Sequence, residues 1–237
     1  MKLLALDTST EACSAALYID GEISQRYEIA PRRHSSLLLP MVDQLIKGAG
    51  IKKSDLDAIA FGRGPGSFMG VRIATGVAQG IAFALSLPVV PVSSLAAIAM
   101  VNYIETGACH SACAIDARMD EVYWGCYEVI DLSTLNLIGE EQVIPPQQII
   151  LPDGMPDKQQ WAGAGTGWAS YQQLIAPAVI DNLRAISPEC LPSANAIANI
   201  AVSMFENGQS VSADQAVPVY LRNNVAKTTR EREQAKP

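Results

Sequence analysis

The stretch Lys2-Leu3-Leu4-Ala5-Leu6-Asp7-Thr8-Ser9-Thr10-Glu11-Ala12-Cys13-Ser14-Ala15-Ala16-Leu17-Tyr18-Ile19-Asp20-Gly21 decides the fold. Residues 3–6 are an uninterrupted apolar run of strand length, halted by four turn formers, Asp7 to Thr10. A second apolar run over residues 13–19 ends at Asp20-Gly21, a dipeptide suited to tight two-residue hairpins. Residues 23–29 supply the returning strand, so three antiparallel strands open the chain. The unit then recurs. Ala114-Ile115-Asp116 ends a strand as Ala5-Leu6-Asp7 does, and Tyr127 closes the following arm as Tyr18 does, each at an offset of 109. A duplicated strand–Asp–strand unit predicts two similar lobes, each built on a sheet.

Between the copies the apolar period changes from two to 3.6. Ser35 or Ser36 can cap a helix over about residues 36–47. Gly48 and Gly50 end it, and Pro40 is expected close to its first turn. Residues 58–61 read as a short buried strand, followed by the turn Gly62-Arg63-Gly64-Pro65-Gly66 and a long helix over about 67–85. Residues 89–92 form another strand, and Ser93 or Ser94 caps a third helix to about residue 104. After the second copy comes a proline-rich connection (Pro145, Pro146, Pro152, Pro156), a helix over about 193–206 and a short strand near 217–221. The expected architecture is α/β, with mixed sheets and flanking helices in two lobes, 1–108 and a smaller 109–222. Residues 223–237 form a polar tail expected to be disordered.

Of the 237 residues 49% are hydrophobic and 17% charged, so either the core is large or apolar surface is kept for a partner. The net charge of −7 argues against an unaided electrostatic grip on nucleic acid. The N-terminal apolar run is too short for a signal peptide. The best candidate span, residues 81–92, is broken by Pro88 and Pro91, so no stretch is expected to cross a bilayer and the chain reads as cytoplasmic. Cys13, Cys109, Cys113, Cys126 and Cys190, odd in number and without tight pairing, are expected to be reduced.

Few residues invite chemistry. Asp7-Thr8-Ser9-Thr10 fits a phosphate-handling hairpin whose Asp holds a metal-bound water. It fits an Asx-type turn better. Gly62 to Ser67 precedes a helix, where N–H groups attract anions, or is a tight turn that needs glycine backbones. No Gly-Lys-Ser/Thr follows, so it is not a P-loop. His34 adjoins Ser35, but neighbouring side chains seldom point at one another productively. Cys109-His110 with Cys113 runs into an alternating strand, which disperses ligands. Asp120 and Glu121 read as a solvated turn. Gly163-Ala164-Gly165-Thr166-Gly167 is the one candidate for a third phosphate loop and is more simply a glycine turn.

Two helices carry more apolar surface than one sheet contact needs. In the first, Leu37, Leu38, Leu39, Met41, Val42, Leu45 and Ile46 cover about 200° of the circumference. In the second, Gly70, Ile73, Ala74, Val77, Ile81, Ala84 and Leu85 form a stripe, beside which Gly76 and Gly80 leave a groove for close helix approach. The candidate partner-docking residues are Leu37, Leu38, Met41, Val42, Leu45, Met69, Gly70, Ile73, Ala74, Val77 and Ile81. No catalytic, metal-binding or cofactor-binding residue is assigned.

Several motifs resemble the TsaB (YeaZ) family. They are Ala5-Leu6-Asp7-Thr8-Ser9 with Glu11-Ala12-Cys13-Ser14, and His34-Ser35 with Leu38-Leu39-Pro40. Further along are Gly62-Arg63-Gly64-Pro65-Gly66-Ser67-Phe68 with Gly70-Val71-Arg72, Ile115-Asp116-Ala117-Arg118-Met119 with Glu121-Val122-Tyr123, and Pro218 with Tyr220-Leu221-Arg222. Met69 departs, since the family usually has Thr there. The resemblance implies an actin/hexokinase-like (ASKHA, ribonuclease H-like) fold. It also implies a role in threonylcarbamoylation of the adenosine 3′ to the anticodon in tRNAs reading codons that start with A. The family's members dock onto TsaD, a related protein with the catalytic metal site, work with the ATPase TsaE, and pair as homodimers when alone. ATP and a metal ion are then expected on partner subunits and none on this chain, and tRNA is contacted mainly through the complex. Where TsaD-like relatives carry two metal-binding histidines four apart, this sequence has Ser94 and Ile98, neither of which replaces imidazole. The implied role is a non-catalytic scaffold. The alternatives are an ATP-binding ASKHA kinase or ATPase acting alone through Asp7 and Asp116, and more remotely a peptidase.

Overall fold

The computed structural model describes residues 1–152 and 161–222. One sheet contains β1 (Lys2–Asp7), β2 (Ala12–Ile19), β3 (Glu22–Ile29), β4 (Ala58–Gly62) and β5 (Val89–Val92) in the order β3-β2-β1-β4-β5. The other contains β6 (His110–Asp116), β7 (Val122–Val129), β8 (Leu135–Ile144), β9 (Trp161–Ala164) and β10 (Leu183–Ser187) in the order β8-β7-β6-β9-β10. In each sheet the first three strands are antiparallel and the last two run parallel to the first. The duplication signalled by Asp7 and Asp116 is therefore one of whole sheets, and both aspartates end the central strand.

The helices are α1 (His34–Gly48), α2 (Phe68–Leu85), α3 (Ser94–Thr106), α4 (Gly167–Ser170), α5 (Pro177–Ile180) and α6 (Ala194–Glu206). Alternation along the strands sorts them into layers. Leu4, Leu6, Cys13, Ala15, Leu17, Ile59 and Phe61 pack with Leu38, Val42 and Leu45 of α1 and Ala78 and Ala82 of α2. Leu3, Ala5, Ala16, Ala58 and Ala60 pack on the other side with α3 and α6. That middle layer also receives Cys113, Ile115, Tyr127 and Val129 from the second sheet. Ala112, Ala114, Trp124 and Cys126 face outward onto Trp161 and Trp168. The order is helix, sheet, helix, sheet, helix. A central strand buried on both faces has no polar side to show, which is why residues 3–6 are apolar without interruption.

Ser93 caps α3 as expected, accepting the Leu95 and Ala96 N–H groups with its hydroxyl, and Ser67, expected as the first residue of the helix, instead caps α2 by accepting the Gly70 N–H. α1 differs. It begins at His34, behind Arg33, with no side-chain cap, and Ser36 Oγ instead donates back to the Arg33 carbonyl at 2.8 Å. Pro40 lies inside α1 rather than in its first turn. Its side is exposed, so water can serve the carbonyl left without a partner. The strand expected near 217–221 does not form. Val219 N–H donates to the Arg63 carbonyl at 2.8 Å, and Val211 bridges to Val89, so this segment is tied irregularly to the first lobe. α6 packs on the first sheet as well, although the division at 108/109 places it with the second. The expectation of no bilayer-length apolar helix needs correction: α2 has 18 residues of mean hydropathy 1.4, of which 33% are buried. The expected tail, 223–237, falls outside the described residues.

Candidate functional site

The turn at the end of β1 is closed from within. Asp7 is fully buried, with one carboxylate oxygen accepting the Ser9 N–H and Ser9 Oγ, both at 3.1 Å. Its other oxygen has no hydrogen-bond partner among the described residues. Burial pushes the Asp7 carboxyl up to about 7. That oxygen lies against Gly62, where a Cβ would stand 1.9 Å away. Cβ atoms on Gly66 and Gly70 would likewise meet the Ser9 and Thr8 carbonyls, at 2.3 and 2.0 Å. The glycine motif exists because backbone packs on backbone there. Two donors at the start of α2 are also taken up within the chain. Ser67 N–H donates to the Ser9 carbonyl at 2.7 Å, and Gly70 N–H to Ser67 Oγ at 3.4 Å. Thr8 Oγ1 donates to the Gly70 carbonyl at 2.6 Å and accepts from Ala74 N–H at 3.1 Å. The two segments are thus packed on one another, backbone against backbone.

A cleft of about 960 Å³ opens between the lobes. Arg32, Arg72, Arg118 and Arg222 line it with Glu11 and Asp116, a basic surface on an acidic chain. Asp7 is not part of its wall. Asp116 is, but its carboxylate is engaged by Arg118 N–H and the Arg118 guanidinium, both at 2.7 Å, and by Tyr171 OH at 2.9 Å. Of the two carboxylates the kinase alternative names, Asp7 is buried outside the cleft wall and Asp116 on the wall is paired with Arg118. Thr166 of the glycine turn accepts Asp116 N–H at 3.2 Å, and Gly165 lies where a Cβ would meet the Ala114 carbonyl at 2.4 Å. This segment packs as a turn. Arg72 sits 3.4 Å over the Phe68 ring and 5.0 Å from that of Tyr220.

The remaining candidates for chemistry diverge. His34 is buried while Ser35 is exposed. Cys109 is exposed and Cys113 buried, and His110 packs edge-on against Trp161 with centroids 5.4 Å apart. Among the described residues no three His, Cys, Asp or Glu side chains converge. Ser94 and Ile98 are fully buried in the middle layer. Burial raises the Cys13 thiol to about 11 and those of Cys126 and Cys190 to about 12.

The docking residues separate into two groups. Leu38, Met41, Val42, Leu45, Gly70 and Ala74 are buried in the protein's own core, so assigning them to a surface is corrected. Periodicity marks apolar faces without telling which one meets the sheet. Leu37, Ile73, Val77 and Ile81 are half-buried, and Met69 is 63% exposed. Met69, Ile73, Gly76, Val77, Gly80 and Ala84 form one outward stripe of roughly 100° along α2. A Cβ on Gly76 or Gly80 would meet nothing within 4 Å. Sequence reasoning missed Phe68 and Phe83, exposed at 63 and 82%, and left Leu39, exposed at 50%, out of the docking residues although it placed it on the apolar surface of the first helix. It also missed Tyr220, whose ring packs by Phe68 at 6.2 Å; only Arg72 four residues after an aromatic hinted at this cluster.

The family profile described as "TsaD: tRNA N6-adenosine threonylcarbamoyltransferase" matches residues 23–230. The tRNA threonylcarbamoyladenosine biosynthesis protein TsaB of Escherichia coli K12 is 40% identical over 227 residues, covering 95% of this chain and 96% of the relative. That of Haemophilus influenzae is 40% identical over 234 residues, covering 95% of each. The solved structure of YeaZ from Pseudomonas aeruginosa superposes with a TM-score of 0.86 at 50% identity, covering 93% of this chain and 99% of that one. With a sheet duplication of the actin/hexokinase type and similarity over nearly its whole length, this chain belongs to the TsaB (YeaZ) family.

Proposed function

We propose that this chain is the non-catalytic partner subunit of a tRNA threonylcarbamoyladenosine transferase complex. Involvement in threonylcarbamoyladenosine biosynthesis follows from the family. The partner role rests on one observation: α2 has the hydropathy of a membrane helix, yet leaves Met69, Gly76, Gly80 and Ala84 exposed, with Ile73 and Val77 half-buried between them. Such a stripe, with two open glycines at its centre, suits another helix packed at close range. TsaD docks on it, and a second copy of this chain occupies it when TsaD is absent. ATP and the metal ion reside on the partner subunits, TsaE hydrolyses the nucleotide, and tRNA is held mainly by the assembled complex, in the cytoplasm. The sealed Asp7 turn and the neutralised Asp116 support a subunit that performs no chemistry itself.

The test is Gly80→Arg in the full chain, which places a charged side chain in open space and leaves the core intact. Ala74 cannot serve, because it is fully buried and a charge there would unfold the protein. The expected result is a melting temperature no lower than the parent's, no complex with TsaD, and no modification in a reconstitution with TsaD, TsaE and tRNA. Normal modification by Gly80→Arg overturns the proposal.

A further inference from the structure

The β6–β7 connection holds three successive non-glycine residues in the left-handed region: Arg118, Met119 and Asp120, with φ of 60, 58 and 57°. An L-residue is disfavoured there roughly tenfold, and runs of them are not a normal hairpin solution. A two-residue turn would join the same strands without strain. Such a conformation persists only when its surroundings hold it.

Two groups do so. From the strand side, Asp116 takes both the Arg118 N–H and its guanidinium. From the other side comes Arg222, about a hundred residues later in the chain. Its Nη1 donates to the Ala117 carbonyl at 2.9 Å, and its Nη2 donates to the Arg118 carbonyl at 3.2 Å and to the Glu121 carboxylate. Nη1 also lies 3.8 Å from Met119 Sδ. Among the described residues the hydrogen bonds of this guanidinium all go to the turn, and its side chain is 14% exposed. The residues so held face out: the Arg118 side chain is 78% exposed and Met119 69%. Arg118 lines the cleft together with Phe68 and Tyr220.

We propose that Arg222 is a positioning residue acting through this turn. It fixes residues 117–121 in the left-handed form, which keeps Arg118 at the cleft and Met119 outward as a preformed contact for the partner chain. The clause on the partner rests on the subunit reading given above; the hold on the turn does not. Arginine is required because a lysine ammonium cannot fork to two carbonyls and a carboxylate in one plane.

The experiment is solution NMR of the full chain, reading backbone couplings, which report the sign of φ, and amide exchange at residues 118–121. Arg222→Ala is expected to lose the positive-φ signature at 118–120 and to speed exchange there at least tenfold. Arg222→Lys falls between it and the parent. If Arg222→Ala does not fold, Glu121→Gln, which weakens the guanidinium's anchor, must show a smaller change at the same amides. Unaltered couplings and exchange in the variant that folds overturn the proposal. For the partner clause, Arg222→Ala should weaken TsaD binding about tenfold. Adding Asp120→Gly, which accepts positive φ and removes no recorded hydrogen bond, should recover part of it. Lost binding without such rescue means Arg222 does not act through the turn. Intact binding in Gly80→Arg would instead remove the subunit reading and leave the NMR result standing.

Discussion

Replacing Gly76 and Gly80 together by alanine should stabilise the isolated chain and weaken its complex, two effects of opposite sign from one change. Neither glycine has positive φ, and a methyl on either meets nothing within 4 Å. In a helix interior alanine is favoured over glycine by about 1 kcal/mol per site, so the pair should gain about 1.5–2 kcal/mol. For a chain of 237 residues that raises Tm by about 4–6 °C. Calorimetry should use a concentration at which the parent is monomeric, so that self-association does not enter. In the complex the same methyls enter a contact that glycine makes close. Overpacking of this kind costs about 1–3 kcal/mol, an affinity loss of roughly five- to 150-fold by titration against TsaD. Unchanged or tighter binding alongside a raised Tm would refute the groove as the contact. A lowered Tm would refute the claim that these positions are open.

Two further changes probe the sealed turn. Gly62→Ala places a methyl 1.9 Å from an Asp7 oxygen that cannot withdraw, and should destabilise by about 3 kcal/mol or more in denaturant unfolding. Asp7→Asn tests the buried proton. The native carboxyl holds its proton to about pH 7, whereas the unfolded one releases it near 3.8. Stability is therefore fully present below pH 3.8 and falls as pH rises through 7, by up to about 4 kcal/mol. Unfolding at pH 5 and pH 8 should show about 2.7 kcal/mol of that loss in the parent and a flatter profile in Asp7→Asn; equal slopes would remove the argument.

Much of this was legible in the sequence because its signals are local. The apolar run before Asp7, the Asp20-Gly21 turn and the serines before α2 and α3 act through near neighbours, and the structure has them in place. The duplication was legible through two residue pairs and proved to extend to the full strand order. The docking surface was harder. Leu38 and Leu39 are equally apolar and adjacent, yet one is fully buried and the other half exposed, and only the placement of the sheet decides between them. Arg222 was beyond reach for another reason. Its partners lie about a hundred residues away, and a left-handed run without glycine leaves no compositional trace.

Glycine on and before α2 serves two unrelated purposes, and what a Cβ would meet distinguishes them. Gly62, Gly66 and Gly70 are required because the hairpin presses backbone oxygens and Asp7 against them. That pressure packs the hairpin onto the start of the helix. Ser67 N–H, Gly70 N–H and Ala74 N–H are already bonded within the chain. Each such bond contributes only about 1 kcal/mol net, and two of the three end on Thr8 and Ser9, so the hairpin and the helix hold one another in place. Gly76 and Gly80 are required by nothing inside the chain and cost it helix stability. A residue that weakens the fold and fills no internal need makes sense where something outside approaches. The start of α2 is thus packed against the Asp7 turn, while its middle has given up helix stability for an open surface, and that second feature points to a chain that acts through contact.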